Sequence, residues 1–281
     1  MKEKTIDQNT VCRFQKHLLD EEKSEATVEK YVRDVKAFAD YAHGVPITKE
    51  TVIAYKQRLV EEGYAIRSIN SMLASINSLF CYLGWTELKV RSLKLQQAVF
   101  CPEERELTKA EYERLCRTAK KRRRERLLLV LQTICSTGIR VSELPYITVE
   151  SVREGQADVS LKGKTRTVLL PNALRKKLKR YVAVRRLQGG PVFVTRSGRP
   201  LSRTNIWREM KGLCAEAAVD ARKVFPHNLR HLFARVFYAM EKDIVRLADI
   251  LGHSSVDTTR IYIVSSGAEH RHHIERMRLV I

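Results

Sequence analysis

Apolar residues recur every three or four positions through the first hundred residues, the spacing that places them on one face of an α-helix. The repeat is strongest at 28–39 and 69–83, and a third segment begins at Thr48 and ends near Gly63. Threonine commonly caps a helix start and glycine commonly ends a helix. About four or five helices of this length can enclose a small core. We therefore predict an all-helical domain over residues 1–98.

Periodicity is lost between residues 97 and 107, after which a helical pattern resumes. Thr108 followed by Glu111 matches a capping box, in which the two side chains satisfy N–H groups at the start of a helix. We therefore predict a second domain over residues 106–281. Its helices are expected at about 109–119, 123–137, 172–188, 203–218, 228–240, 242–251, 255–262 and 267–279.

Two short runs rich in β-branched residues, 157–161 and 165–170, flank the sequence Lys162-Gly163-Lys164. Such runs around a tight glycine turn predict a β-hairpin. Residues 191–194 are a candidate third strand. The fold class expected is mainly α with a small β-sheet, in which a helical domain precedes an α+β domain.

Basic residues are concentrated in the second domain. The chain has 52 lysines and arginines and 32 acidic residues. Residues 1–100 contain 15 of the basic and 13 of the acidic residues, so residues 101–281 contain 37 basic and 19 acidic residues. This excess indicates a polyanionic partner, most commonly nucleic acid, with a merely soluble basic surface as the alternative. No apolar run approaches the ~18 residues of a membrane span, and no signal peptide is evident. We expect a cytoplasmic protein with no membrane partner.

The first informative motif is Thr-Gly-Ile-Arg-Val-Ser-Glu-Leu at 137–144. Gly138 is expected to end one helix and Arg140 to stand at the start of the next, where free backbone N–H groups favour a phosphate. A surface ion pair between Arg140 and Glu143 is the alternative.

The second motif is Phe-Pro-His-Asn-Leu-Arg-His at 225–231. His227 and Arg230 are three residues apart and share one helical face. Such a pair can hold two oxygens of one phosphate and handle a proton, whereas an ordinary exposed pair is the alternative.

The third motif is Leu-Gly-His-Ser-Ser-Val-Asp-Thr-Thr-Arg-Ile-Tyr at 251–262. Gly252 is expected to end a helix, and Ser254 with Asp257 to cap the next one. That arrangement leaves His253 in the turn and Tyr262 about two helical turns later. A tyrosine at this spacing is, on its own, more typical of a core aromatic residue.

Taken together, the motifs supply the groups needed to transfer a phosphoryl group to a phenolic oxygen. Cations stabilise the charge of the transition state, and the tyrosine forms a covalent intermediate. A lysine in the hairpin turn can protonate the leaving oxygen.

The order Arg, Lys, His-x-x-Arg, His, Tyr and the three motifs resemble the tyrosine recombinase (phage integrase) family over essentially the whole chain. The similarity is greatest to Xer-type recombinases and transposon integrases. It implies a SAM-like helical core-binding domain followed by a catalytic domain. It also implies the catalytic residues, which are Arg140, Lys162, His227, Arg230, His253 and the nucleophile Tyr262.

Two further residues match positions of the family, and a third competes with Lys162. Glu143 matches the acidic position that supports the site. His231 follows Arg230 as in many relatives, either in a supporting role or as a packed structural residue. Lys164 is a rival to Lys162 as proton donor, since the register of a hairpin is not fixed by its sequence.

The resemblance also implies the reaction. Four protomers bring two DNA duplexes together, and each tyrosine forms a 3′-phosphotyrosine and releases a 5′ hydroxyl. Strand exchange then gives a Holliday junction that a second round resolves, with no metal and no ATP or other cofactor. The sequence has neither a P-loop nor an acidic metal cluster. The C-terminal helix is expected to dock into a neighbouring protomer, with packing on its own domain as the alternative, and the free protein is expected to be a monomer.

A run of basic residues is expected to contact DNA phosphates, with a solvated face as the alternative. It consists of Lys120, Lys121, Arg122, Arg123 and Arg124. Lys164 is a further candidate for phosphate contact.

Two other functions remain open: a type IB topoisomerase, which uses a similar residue set to nick and reseal one duplex, and a non-catalytic DNA-binding protein. The DNA target and any accessory proteins are not evident from the sequence.

Overall fold

The computed structural model describes residues 4–94, 106–161, 164–263 and 275–276. The chain divides into two compact units, Met1–Gln97 and Ala98–Ile281. The predicted limits 98 and 106 stay a prediction, because residues 95–105 lie outside the described part. No helix in the described part of the chain is long and apolar enough to cross a membrane.

The first unit contains the helices expected from its apolar repeat. They are α1 (Gln8–Asp20), α2 (Glu25–Tyr41), α3 (Lys49–Glu61) and α4 (Ile66–Tyr82), followed by a short 3-10 helix at Thr86–Leu88. The side chain of Thr48 caps α3 as predicted, although its capping-box partner is Thr51. The core includes Phe38, whose ring packs edge-on against Tyr55 and Phe80 at centroid distances of 5.1 and 6.0 Å.

The second unit is mainly helical around one hairpin. Its helices are α5 (Lys109–Lys121), α6 (Glu125–Thr137), α7 (Val149–Glu154), α8 (Asn172–Val184), α9 (Arg203–Lys211), α10 (Pro226–Glu241), α11 (Ile244–Leu251) and α12 (Val256–Ile263). Short 3-10 helices lie at Val141–Tyr146 and Ala221–Lys223. The capping box of Thr108 and Glu111 starts α5 as predicted.

The hairpin consists of the antiparallel strands β1 (Gln156–Leu161) and β2 (Lys164–Leu169). In its register Leu161 pairs with Lys164, and Val159 pairs with Arg166. Lys162 and Gly163 lie outside the described residues. The fold class, mainly α with a small β-sheet, is confirmed.

Two predicted secondary-structure elements differ from the structure. Residues 191–194 form no third strand, because Pro191 has no N–H to donate and the segment makes only isolated bridges from Pro191 and Val194. Its apolar character reflects burial, since Val192 and Phe193 are 0% and 1% exposed. The helix expected at 203–218 ends at Lys211, and the chain continues in turns after Gly212. Of the helix expected at 267–279, only residues 275–276 are described.

Candidate active site

A glycine turn at the end of α6 positions the first arginine. Gly138 ends α6 with a left-handed φ of 64°, and a Cβ atom there would lie 2.5 Å from the ring of Phe233 on α10. Both features require glycine. The chain then enters the 3-10 helix with Arg140 at its N-cap. The close approach of α10 at Gly138 therefore brings the first and second motifs together.

Glu143 holds Arg140 in place from a buried position. Its side chain is 1% exposed, and its two oxygens accept from the backbone N–H and Nη1 of Arg140, both at 2.8 Å. A second arginine, Arg166 on β2, donates through Nη2 at 2.6 Å. The Arg140–Glu143 pair considered as an alternative therefore exists, but as a buried bridge between two arginines.

The pKa of Glu143 reflects this environment. Burial alone would raise the pKa, but the hydrogen bonds from Arg140 and the charges of Arg166 and Arg140 outweigh burial and lower it. Glu143 is therefore ionised at pH 7. The side chain of Arg140 is 40% exposed, so part of its guanidinium remains accessible to a ligand.

Arg230 lies beneath the surface at the centre of the cluster. It is 1% exposed, and it donates to the carbonyl oxygens of Gly138 and Leu251. Its Nε finds no hydrogen-bond partner among the described residues. Burial and, to a lesser extent, the charge of Arg140 lower the pKa of Arg230 to about 10. The interaction with Tyr262 acts in the opposite direction and offsets part of this shift. Arg230 is therefore a buried cation at pH 7.

His253 occupies the turn between α11 and α12, as the third motif predicted. Its Nε2 lies 2.9 Å from Arg230 Nη2, and its Nδ1 lies 2.8 Å from the hydroxyl of Thr259. Because arginine only donates, Nε2 must accept and Nδ1 carries the proton that it donates to Thr259. Burial and the neighbouring charge of Arg230 lower the pKa of His253 to about 4. His253 is therefore neutral at pH 7.

Tyr262 on α12 is 6% exposed and is surrounded by imidazole rings. Its ring centroid lies 4.3 Å from that of His231, 5.4 Å from His253 and 5.6 Å from His227. The apolar side of the ring belongs to a small cluster that includes Leu251. Tyr262 is thus both a packed aromatic residue and a member of the polar cluster.

The two histidines of the second motif have different environments. His227 is exposed on one side. Its pKa is lowered mainly by desolvation of the side that faces the protein, and further by the charges of Arg230, Arg203 and Arg140. His231 is more buried, and desolvation followed by the proximity of His227 and Arg230 lowers its pKa to about 4. Their ring centroids are 4.6 Å apart.

The structure brings together seven of the predicted site residues, which are Arg140, Glu143, His227, Arg230, His231, His253 and Tyr262. Lys162 lies outside the described residues. Lys164 is the first residue of β2, and its backbone pairs with Leu161.

Sequence reasoning missed Arg166 and Thr259. Arg166 stands two residues after Lys164 and pairs with the buried Val159 of β1. A basic residue opposite an inward-facing apolar position was the signal that was available. The predicted cap at Ser254 was wrong, since Asp257 N–H donates instead to the hydroxyl of Ser255 at 3.2 Å.

The basic run 120–124 lies at a distance from this cluster. It spans the last two residues of α5 and the turn that leads to α6, and its Lys121 and Arg122 form ion pairs with Glu216. Arg140 follows the other end of α6, a 13-residue helix about 20 Å long. Among the described residues, no group of three or more histidine, cysteine or acidic side chains could hold a metal ion.

Comparison with protein families assigns the chain. The phage integrase family matches residues 105–269, more than half of the sequence. The chain belongs to the phage integrase family. The N-terminal SAM-like domain of phage integrases matches residues 11–87. The resemblance inferred from the three motifs is therefore confirmed, together with the order of a SAM-like domain and a catalytic domain.

Two relatives show how far the similarity extends. Tyrosine recombinase XerA of Pyrococcus furiosus is 29% identical over 291 residues, covering 100% of this chain and 98% of that protein. Tyrosine recombinase XerD of Halalkalibacterium halodurans is 29% identical over 260 residues, covering 85% and 87%. This phage integrase family member is accordingly a tyrosine-type recombinase, an enzyme that cleaves and rejoins DNA strands.

Solved structures are similar over nearly the whole chain. The crystal structure of XerA recombinase has a TM-score of 0.55 at 25% identity and covers 97% of this chain and 99% of its own. A lambda integrase tetramer bound to a Holliday junction has a TM-score of 0.74 at 19% identity, covering 93% and 78%. XerH bound to its difH substrate before cleavage has a TM-score of 0.69 at 20% identity, covering 90% and 79%. At these lower identities the last two establish the shared fold.

Proposed function

We propose that this recombinase uses Tyr262 as the nucleophile on a DNA phosphate. The observation that supports this most is the position of Tyr262 within 5.6 Å, between ring centroids, of three imidazoles, beside the buried cation Arg230. In the cleavage step the bond from Tyr262 Oη to phosphorus forms, and the bond from phosphorus to the 5′ oxygen breaks. The products are a 3′-phosphotyrosine and a 5′ hydroxyl, and the reverse step rejoins the strand.

Arg140 and Arg230 are the proposed stabilisers of charge on the non-bridging phosphate oxygens. Glu143 fixes the orientation of Arg140 and leaves part of its guanidinium accessible. Arg230 is held by carbonyl oxygens of two different turns, so its position is set before DNA arrives. Preorganised cations of this kind need little rearrangement in the transition state.

The proton steps are assigned to His227 and Lys162. His227 has a lowered pKa, is neutral at pH 7, and faces the ring of Tyr262, so it can accept the phenolic proton. Lys162 is the proposed donor to the departing 5′ oxygen, with Lys164 as the rival. His253 donates through Nδ1 to Thr259 and accepts through Nε2 from Arg230, so its proposed role is to hold the Arg230 guanidinium in position.

The proposed substrate is a double-stranded recombination site, bound by four protomers through a Holliday-junction intermediate. The lambda integrase tetramer on a Holliday junction, whose fold this chain shares, supports this assembly. The resemblance to transposon integrases and Xer-type recombinases supports integration or excision of a mobile element, or Xer-like resolution. We propose that the enzyme works in the cytoplasm, where such DNA is accessible, and that its C-terminal segment docks on a neighbouring protomer.

The test uses a nicked suicide substrate that traps the covalent intermediate, analysed on a denaturing gel. Tyr262→Phe removes only the nucleophilic oxygen, so DNA binding should persist while the adduct disappears. Tyr238→Phe is the matched control, because Tyr238 packs against the same small cluster as Tyr262. An adduct that persists in Tyr262→Phe would refute the assignment.

A second measurement separates recombination from topoisomerase activity. Relaxation of a supercoiled plasmid that lacks any recombination site is expected to be negligible. Rapid relaxation of such a plasmid would favour the type IB topoisomerase alternative.

A further inference from the structure

Arg166 makes three contacts that the proposed catalytic roles do not use. Its Nη2 donates to Glu143 at 2.6 Å, and its Nη1 donates to the carbonyl oxygen of Ile250 at 2.5 Å. Its Cδ lies against Gly252, where an added Cβ atom would be only 2.3 Å away. The side chain is 14% exposed, so these contacts are largely shielded from water.

Each contact connects a different part of the site. Glu143 is the carboxylate that orients Arg140. Ile250 lies in the last turn of α11, and Gly252 directly precedes His253. Arg166 itself belongs to β2, the strand that follows Lys162 and begins at Lys164. One side chain therefore links the hairpin to the first arginine and to the turn that carries the last histidine.

We propose that Arg166 is a positioning residue that sets the hairpin, Arg140 and the His253 turn relative to one another. This proposal rests on the proposed function of the same site. Arg166 touches no reacting atom in it, and it acts through Glu143 and the α11–α12 turn. Its effect is therefore expected on the rate of cleavage and not on the affinity for DNA.

The contacts require a guanidinium. The planar group directs Nη1 to a carbonyl and Nη2 to a carboxylate at the same time, which the single ammonium of lysine does not reproduce. Loss of the side chain would also leave Glu143 with Arg140 as its remaining cation, at a buried position where both oxygens need donors. A displacement of the order of 1 Å at a catalytic group can cost about 100-fold in rate.

The main experiment compares Arg166→Gln with Arg126→Gln in the full chain. Arg126 is the matched control because it also bridges a carboxylate and a carbonyl, donating to Glu209 at 2.7 Å and to Val194 at 2.8 Å. Single-turnover cleavage is measured at saturating DNA and at a temperature where each variant is folded. Arg166→Gln is expected to lower the cleavage rate about 10- to 100-fold with DNA affinity unchanged, whereas Arg126→Gln leaves the rate within about twofold.

Chemical rescue separates positioning from general damage to the fold. In Arg166→Ala, added methylguanidinium at millimolar concentration should restore part of the cleavage rate, because it can occupy the space and the two acceptors. The same additive should not restore Tyr262→Phe. An absence of rescue in a folded Arg166→Ala that has lost activity would count against the proposal.

The contact with Gly252 provides an independent test through a double-mutant cycle. Gly252→Ala places a Cβ against Arg166 and strains a residue with a φ of 65°. In an Arg166→Ala background the collision is removed and only the backbone strain remains. The two substitutions should therefore be less damaging together than the sum of their separate effects on cleavage. Additive effects would show that the contact does not transmit the position of the hairpin to the His253 turn.

The outcomes distinguish this proposal from the proposed function. If the wild-type protein forms no adduct through Tyr262, the proposed function fails. If the wild type forms that adduct and Arg166→Gln forms it at the same rate, only the positioning role of Arg166 is overturned. Equal losses in Arg166→Gln and Arg126→Gln would overturn it as well.

Discussion

Each of the two units buries one carboxylate between two cations. In the helical unit Asp34 on α2 is 3% exposed and pairs with Lys30 at 2.6 Å and Arg33 at 3.3 Å. In the catalytic unit Glu143 is 1% exposed and pairs with Arg140 and Arg166. The two groups are similar in burial and in the number of cationic partners, but they differ in where those partners come from.

The partners of Asp34 are local and connect two helices. Lys30 and Arg33 lie on the same helix as Asp34, and Ser75 on α4 donates to its carboxylate at 2.9 Å. Lys30 also donates to the carbonyl of Ser71 on α4 at 2.9 Å. The network therefore ties α2 to α4 through Lys30 and Ser75, whereas the side chain of Arg33 is 74% exposed.

The partners of Glu143 come from a turn and from a strand that is distant in sequence. Arg140 keeps part of its guanidinium exposed, and Arg166 reaches on to α11. Arginine suits this position because its planar group can serve a carboxylate and a second acceptor at once. The comparison therefore contrasts a carboxylate whose partners join two neighbouring helices with one whose partners extend to β2 and, through Arg166, to α11.

The largest expected difference follows from removing each carboxylate charge. Glu143→Gln should lower single-turnover cleavage about 100- to 1,000-fold, because Arg140 loses the anion that orients it. Asp34→Asn should instead lower the free energy of unfolding by about 1–3 kcal/mol, with cleavage unchanged at a temperature where the variant is folded. Urea titration and the suicide substrate measure the two effects. Comparable losses of cleavage in both variants would remove the distinction between the networks.

The next effect comes from exchanging the cation types. Arg140→Lys should lower cleavage about 10- to 100-fold, since one ammonium cannot serve Glu143 and a phosphate oxygen with the same geometry. Lys30→Arg should leave cleavage unchanged and alter stability only slightly, because Lys30 is 31% exposed and its head group has room to adjust. Unimpaired cleavage by Arg140→Lys would mean that Arg140 contributes charge alone.

Much of this arrangement could be predicted from the sequence, and the reason is local. His227 and Arg230 share a helical turn, and Gly252 with His253 forms a helix end, so short-range spacing placed them on these elements and the resemblance to the phage integrase family supplied their roles. Arg166 was missed because its partners Glu143 and Ile250 are far away in sequence. The false strand at 191–194 has a similar cause, since its apolar residues indicate burial without specifying the partner that a strand needs.

A smaller expected effect concerns the pH dependence of stability in the catalytic unit, which the lowered pKa of His231 changes. The pKa of His231 is lowered to about 4, whereas histidine in an unfolded chain titrates near 6.5. Between these values the unfolded chain binds more protons, so the stability that neutral His231 provides is complete above pH 6.5 and is lost as pH falls toward 4.

We expect the wild-type catalytic unit to lose more stability than a His231→Gln variant when the pH is lowered from 6.5 to 5. The difference should be no more than about 2 kcal/mol, which urea unfolding can resolve. Asp34→Asn is the control, because its substitution lies in the other unit and leaves the His231 contribution in place. An identical pH dependence in wild type and His231→Gln would show that the imidazole is not shielded as described.

The smallest expected effect extends the comparison to a carboxylate that is not buried. Glu216 is 27% exposed and pairs with Lys121 at the end of α5 and with Arg122 in the turn that follows. Arg123 in the same turn is exposed and forms no ion pair with any described residue.

If this turn contacts DNA, Arg123→Gln should weaken binding a few-fold and reduce the slope of log affinity against log salt by about 1. Glu216→Gln should strengthen binding slightly, since it releases two cations toward the phosphates. Cleavage at saturating DNA should be unchanged in both variants, because the turn lies at the end of α6 away from Arg140. If both variants keep the affinity and salt slope of the wild type, the run from Lys120 to Arg124 is a solvated face, and the ion pairs of Glu216 serve only to join α5 to the segment after α9.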